Sequence, residues 1–307
     1  MTQRHDLSDI ARGALILLVV WGHLLEAKGP DSRIYFAIYT FHMPAFVMLA
    51  GMFSSARLNA HDLIVIVQKF VLPLIAFQLA YFYALSVVSP DRVTDVLTPA
   101  WLIWFLLSLI TWKLILPFAV RVPYPIPLSI VVALVIGYID SVGTALSLSR
   151  TVVFFPAFLL GHLYKDQIFQ VVIKHRPALC ILFVAFMCGA IGLSDHVDIR
   201  WLWAVNSYSE IPNSSPKILY RAGTIAMGLI TSIAFLAVLP RRSNGLTLLG
   251  QNTMPIYVLH GFPVMLVWKA NVLPNSDIAF IVATAVLAFI LTFAIARAAS
   301  PIITNNK

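Results

Sequence analysis

Asp9-Ile10-Ala11-Arg12-Gly13-Ala14-Leu15-Ile16-Leu17-Leu18-Val19-Val20-Trp21-Gly22-His23-Leu24-Leu25-Glu26 is an apolar run that carries four ionisable side chains. At about 100° per residue, the eleven steps from Arg12 to His23 close to within about 20°, and Asp9 and Glu26 fall in the same arc of about 100°. One face of one helix holds all four. A rise of about 1.5 Å per residue anchors Arg12 and His23 roughly 16 Å apart along the axis, one near a membrane surface and the other deep. Ionisable groups at such depth are costly, so they ordinarily face a cavity or a pathway.

The rest of the chain agrees with a membrane setting. Of 307 residues, 60% are hydrophobic and 11% charged, against about 25% charged in ordinary soluble domains. Hydropathy predicts an all-α polytopic protein with about ten transmembrane helices, near 10–26, 34–55, 63–89, 100–119, 125–140, 150–164, 177–193, 217–239, 253–271 and 278–298. The segments 125–140 and 150–164 are short, and prolines flank or interrupt them. No long polar region interrupts the series, so residues 1–307 are expected to form a single domain.

Basic residues set the orientation. With a cytoplasmic N-terminus, most of the 21 Lys and Arg residues fall inside: Arg4, Arg12, Arg57, Lys69, Lys113, Arg121, Lys165, Lys174, Arg176, Arg241, Arg242, Arg297 and Lys307. An even helix count then places the C-terminus in the cytoplasm as well. The net charge of +8 is spread through short loops, which suits anionic membrane lipids and not nucleic acid. Basic residues precede the first apolar run as in a signal peptide, but no small-residue cleavage site follows, which predicts a retained helix. Cys180 and Cys188 lie eight apart on one apolar helix, too far for a disulfide.

Several constellations carry possible chemistry. Arg12 suits bidentate contact with a phosphate or carboxylate. His23 suits general-base catalysis on an alcohol, because imidazole titrates near neutrality; an interhelical hydrogen bond is the plain alternative. Phe41-His42-Met43-Pro44-Ala45-Phe46, followed by Gly51, puts His42 at a depth similar to His23 on the next helix. Pro44 tends to kink that helix and Gly51 allows close helix approach. A structural kink beside a satisfied His42 explains the same residues. Gly250 to Gly261 reads as a cap at Asn252 or Thr253, then Tyr257 and His260 on one face. It serves equally as a site or as a polar interhelical contact. Trp104-Phe105-Leu106, Arg150 with Phe154-Phe155-Pro156, and Gly161-His162 read as packing or anchors as readily as function. Ser194 to Pro216 mixes Asp195, His196, Asp198, Arg200, Trp201, Trp203, Asn206, Tyr208, Glu210 and Asn213, a composition suited to an acceptor-binding loop or to an interfacial aromatic belt. The histidines lack metal-ligand spacing, and there is neither a Gly-rich phosphate loop nor a nucleophile elbow.

In this order, the Arg12-to-His23 spacing, Phe41-His42-Met43-Pro44 leading to Gly51, Trp104-Phe105-Leu106, Phe155-Pro156 with Gly161, and Asn252-Thr253 through Ile256-Tyr257-Val258-Leu259-His260 resemble the integral-membrane acyltransferase 3 family, especially its fucose 4-O-acetylase-like branch. The resemblance implies about ten helices in the cell's inner (plasma) membrane, acetyl-coenzyme A as donor from the cytoplasm, and O-acetylation of a surface glycan or lipid-linked sugar. It implies that Arg12 and His23 are required, Arg12 holding coenzyme A phosphates and His23 acting as the base. Of the basic cluster common after the second span, Arg57 and Lys69 remain as further donor contacts. His42 is then expected to orient the acceptor or His23, and Glu26, Trp104, Arg150, Tyr257 and His260 to contact substrate, with Tyr257 as an oxyanion donor. This reading expects Arg12 and His23 to look onto one continuous passage. The competing readings are a transporter of a sugar, glycan precursor or small anion, and a structural subunit of a polysaccharide assembly complex.

Overall fold

The computed structural model describes residues 2–29, 32–88, 98–212, 216–242 and 245–304. Asn213, Lys307 and the side chain of Arg4 fall outside the described residues. Within them the fold is helical and holds no strand: α1 (Thr2–Leu25), α2 (Arg33–Tyr39), α3 (His42–Met52), α4 (Ala60–Ile66), α5 (Leu72–Val88), α6 (Trp104–Ala119), α7 (Pro125–Val135), α8 (Leu148–Lys174), α9 (Arg176–Leu193), α10 (Arg200–Trp203), α11 (Lys217–Val238), α12 (Gly245–Gln251), α13 (Thr253–Leu259), α14 (Gly261–Ala270) and α15 (Asp277–Thr304). Eight helical stretches are long and apolar enough to cross a membrane, with Pro125–Tyr138 as a shorter apolar one.

Two stretches expected as single helices are broken, for one shared reason. Pro44 has no N–H for the Thr40 carbonyl and Pro263 none for that of Leu259, so each helix loses a bond four residues before its proline. The chain accordingly splits α2 from α3 at Thr40 and Phe41, and α13 from α14 at His260. His42 and His260 therefore sit at helix discontinuities. The segment expected over 150–164 runs on to Lys174. Lys165, Asp166 and Gln167 lower its hydropathy, but no Gly or Pro follows Gly161 before Pro177 to stop it. Only a bend marks the change, at Tyr164, with φ −119° and ψ 21°.

α1 runs through the middle of the bundle, touching α2, α3, α12, α13, α14 and α15. Its apolar side, including Ile10, Ala11, Leu15, Ile16, Val20 and Leu24, is fully buried. Two reciprocal glycine contacts set the closest approaches. A Cβ on Gly51 of α3 would run into the Phe158 carbonyl of α8, and one on Gly161 of α8 into the Met48 carbonyl of α3. Gly13 of α1 meets the Leu246 carbonyl, and Gly250 meets that of Asp9. Without a hydrophobic drive between helices in lipid, such small-residue contacts recover dispersion energy that bulkier side chains would forbid. The stretches Ala60–Val88 and Arg176–Leu193 are apolar yet almost wholly unburied, as expected of lipid-facing helices.

Candidate active site

The broken helices and the loop around α10 enclose a cavity of about 310 Å³. Ile16, Val19, His23 and Glu26 line it from the α1 side, and Tyr35, Tyr39, His42, Met43 and Phe46 from α2 and α3. Trp101, Leu102, Trp104 and Phe105, with Arg150, Phe154, Trp203 and Tyr257, complete most of the wall. The depth shared by His23 and His42 in the sequence thus becomes a shared chamber. Its volume is at the lower end of small-molecule sites, about 300–1,000 Å³, enough for a sugar ring or a thioester arm but not for a whole nucleotide thioester.

Glu26 stands in a single 3-10 turn that ends the first helical run, where its carboxylate folds back. Its Oε1 lies 3.0 Å from His23 Nδ1 and accepts hydrogen bonds from the hydroxyls of Tyr39 at 2.8 Å and Tyr35 at 3.3 Å. Trp203 Nε1 in turn donates to the Tyr35 hydroxyl at 3.1 Å. A carboxylate only accepts, so Nδ1 of His23 carries a hydrogen, and in the neutral ring Nε2 is then the lone-pair nitrogen. Trp101 packs edge-on to the His23 ring at 4.6 Å, and Trp268 Nε1 donates to the His23 carbonyl at 3.2 Å. His23 is thus held by its ring, its backbone and its Nδ1.

The two histidines at the helix breaks repeat the pattern. His42 Nδ1 donates to the Ile38 carbonyl at 2.8 Å and His260 Nδ1 to that of Ile256 at 2.9 Å. His260 is fully buried, its ring stacked 5.4 Å from that of His23, and its Nε2 has no hydrogen-bond partner. It supports His23 from behind, whereas His42 lines the chamber itself.

Arg150 lines the chamber beside Trp104. Its guanidinium lies 4.7 Å over the Trp104 ring, and its Nε donates to the Trp203 carbonyl at 3.1 Å. The neighbouring Ser149 Oγ donates to the Ala204 carbonyl at 2.7 Å, so the start of α8 grips the loop that carries Trp203. Tyr257 also lines the chamber, but its hydroxyl donates to the Leu102 carbonyl at 2.5 Å. That bond commits the hydrogen expected to meet an oxyanion.

Arg12 lies elsewhere. It is paired with Asp9, and its guanidinium sits 5.4 Å over Phe53, a ring that also carries Lys165 Nζ at 4.1 Å. Lys113 Nζ donates to Ser54 Oγ at 3.1 Å, which brings a third cation to this end. The chamber lining stops at Ile16, one turn short of Arg12 on the same helix face. Its floor on this side is fully buried Ile16 with Phe46, and Arg12 is not part of the chamber wall. Arg57 and Lys69 are exposed and take no part in the chamber wall.

Tyr35 and Tyr39 were not singled out in the sequence, and Trp203 only as one member of the Ser194–Pro216 stretch. The first two lie at i and i+4 ahead of His42 at i+7, a one-face spacing that was readable. Trp203 sits at the end of the four-residue α10 inside a loop, and no periodicity announces it.

Fold and site together define a multi-pass membrane protein with a carboxylate-oriented histidine inside its helix bundle. Residues 7–297 match the acyltransferase domain family known as acyltransferase 3, and the chain belongs to that family. It is also similar to the nodulation protein NolL of Mesorhizobium japonicum, with 43% identity over 65 residues, a stretch covering 19% of this chain and 17% of that protein. No solved structure matches the chain.

Proposed function

We propose that this acyltransferase moves an acetyl group from acetyl-coenzyme A to a hydroxyl of a surface glycan or lipid-linked sugar, in the cell's inner membrane with both termini cytoplasmic. The observation that carries the reading is the Glu26–His23 pair, whose Nδ1 contact leaves Nε2 as a lone-pair acceptor beside a chamber sized for a hydroxyl and a thioester. His23 Nε2 takes the acceptor hydroxyl proton as the oxygen attacks the thioester carbon. The carbon–sulfur bond then breaks, and the proton passes to the departing thiolate, giving an ester and free coenzyme A. Negative charge on Glu26 stabilises the imidazolium in between. The tyrosines that hold Glu26 keep the pair aligned before substrate arrives.

The nucleotide is too large for the chamber, so its phosphates belong outside, on the cations gathered at Phe53 and Ser54, with Arg12 foremost. The donor's slender arm then reaches His23 past Ile16, which requires the floor to part on binding. His42 and Trp104 face the acceptor, Trp104 offering a flat ring for a sugar face.

Purified protein in lipid nanodiscs, given acetyl-coenzyme A and glycan extracted from the source cells, tests this. Wild type should release free thiol and label the glycan with acetyl, and His23→Ala should do neither. Equal turnover by both proteins, or none by wild type, sinks the reading and returns the transporter to first place.

A further inference from the structure

We propose that Arg150 is the oxyanion-stabilising residue of the chamber, a role that rests on the acyl-transfer reading above. The case begins with what each polar side chain of the wall has left to give. Tyr35 and Tyr39 spend their hydroxyl hydrogens on Glu26, Trp203 spends its indole N–H on Tyr35, and Tyr257 spends its own on the Leu102 carbonyl. His23 and His42 spend their Nδ1 hydrogens and retain only acceptor nitrogens. Arg150 differs. Its Nε is used on the Trp203 carbonyl, and no carboxylate pairs with its Nη atoms among the described residues.

A guanidinium in a largely apolar membrane cavity that touches no carboxylate, with Glu26 acting on it only through space across the chamber, is costly. The cost is offset if an anion forms against it, and the tetrahedral intermediate of acyl transfer is such an anion. When the acceptor oxygen bonds to the thioester carbon, the carbonyl π pair moves onto oxygen. Two Nη–H donors in a fixed plane meet that oxygen without reorganising. The pair returns as the carbon–sulfur bond breaks, so Arg150 neither gains nor loses a proton.

The mounting supports the assignment. Trp104 beneath the guanidinium and the Trp203 carbonyl on Nε hold it as a rigid fork. The same loop residue, Trp203, touches both Arg150 through its carbonyl and Tyr35 through its indole. One short loop therefore positions the oxyanion donor and, through Tyr35 and Glu26, the base.

The test uses full-length protein in nanodiscs, acetyl-coenzyme A as the probe donor and the glycan extract as acceptor, with thiol release as readout. Arg150→Gln should lower kcat by about 10²–10³-fold while the donor KM stays within about twofold, the signature of an interaction made in the transition state. Added guanidinium should restore part of the Arg150→Gln rate and none of the His23→Ala rate. Arg150→Lys should fall between wild type and Gln, because a point charge replaces a two-pronged donor. Unchanged kcat in Arg150→Gln overturns the inference, as does a loss that guanidinium leaves untouched and that accompanies a lower Tm, the mark of a structural role. Wild type without turnover removes the acyl-transfer reading and this inference together, whereas His23-dependent turnover indifferent to Arg150 removes this one alone.

Discussion

Glu26 and His23, three residues apart at the end of one helix, are joined by a 3.0 Å contact between carboxylate and Nδ1. The two side chains are only 15% and 14% exposed, so water competes weakly for either group. Glu26, which the sequence offered as a substrate contact, is the group that sets the tautomer of the neutral imidazole.

Glu26→Gln keeps the size and loses the charge. It should leave Tm within a few degrees of wild type and lower kcat by about 10²–10⁴-fold, since an amide no longer fixes the tautomer or stabilises imidazolium. Steady-state thiol release measured beside thermal unfolding checks both halves; a fully active Glu26→Gln would show that His23 needs no orienting partner.

Arg12→Ala removes a cation outside the chamber. The donor KM should rise several-fold more than the acceptor KM, with kcat changed less than either, because phosphates contacted equally in ground and transition states contribute uniform binding. Kinetics at varied donor concentration decide this, and an unmoved donor KM takes Arg12 out of donor recognition.

Tyr257→Phe loses a buried bond to the Leu102 carbonyl and no catalytic group. The expected cost is about 1–3 kcal/mol of stability for the orphaned carbonyl, with kcat within about threefold of wild type. A collapse of kcat at unchanged Tm would restore Tyr257 to the chemistry.

Gly51→Ala and Gly161→Ala each press a methyl group against a backbone carbonyl of the facing helix, which should cost about 1–3 kcal/mol through helix displacement. Gly192→Ala on α9, where open space surrounds the position, should be neutral or slightly stabilising because Ala is the better helix former. Thermal unfolding in one detergent ranks the three, and equal behaviour would contradict the glycine-mediated contact.

On the loop that carries α10, hydrogen bonds from Arg200 hold the Asp198 carboxyl below the usual carboxylate range. A lowered folded value means the pair's stabilisation is fully present above the unfolded pKa near about 3.9 and is lost as pH falls through the folded value. The two side chains are partly buried, 32% and 26% exposed, and the effect should stay on the order of 1 kcal/mol. Tryptophan fluorescence of the loop should show an acid step below about pH 4 that Asp198→Asn abolishes; the same step in both proteins would assign it to another group.

Much of the site was legible because a helix converts spacing into a face. Arg12, His23 and Glu26 were readable as one stripe, and His42 as a partner at equal depth, from period and rise alone. The prolines at 44 and 263 were visible as breakers, but which residue each break would free depends on the lost bond four residues earlier. The commitment of the Tyr257 hydroxyl was not legible, since its acceptor is a carbonyl 155 positions away. Nor was the extent of the chamber, because packing across α1, α3 and α6 decides how far along a polar stripe a void runs. Trp203 and Arg150 meet through tertiary contact between a loop and a distant helix, which no local pattern encodes.

The chamber floor bears on the cell's energy supply. Where a membrane stores work as ion gradients, any hydrated channel spanning it would short-circuit them. A greasy side chain such as Ile16 at the end of the chamber would resist hydration while leaving few groups for a threaded, uncharged chain to displace. Whittling that residue to alanine would trade insulation for throughput, and proton leak in liposomes would register the exchange.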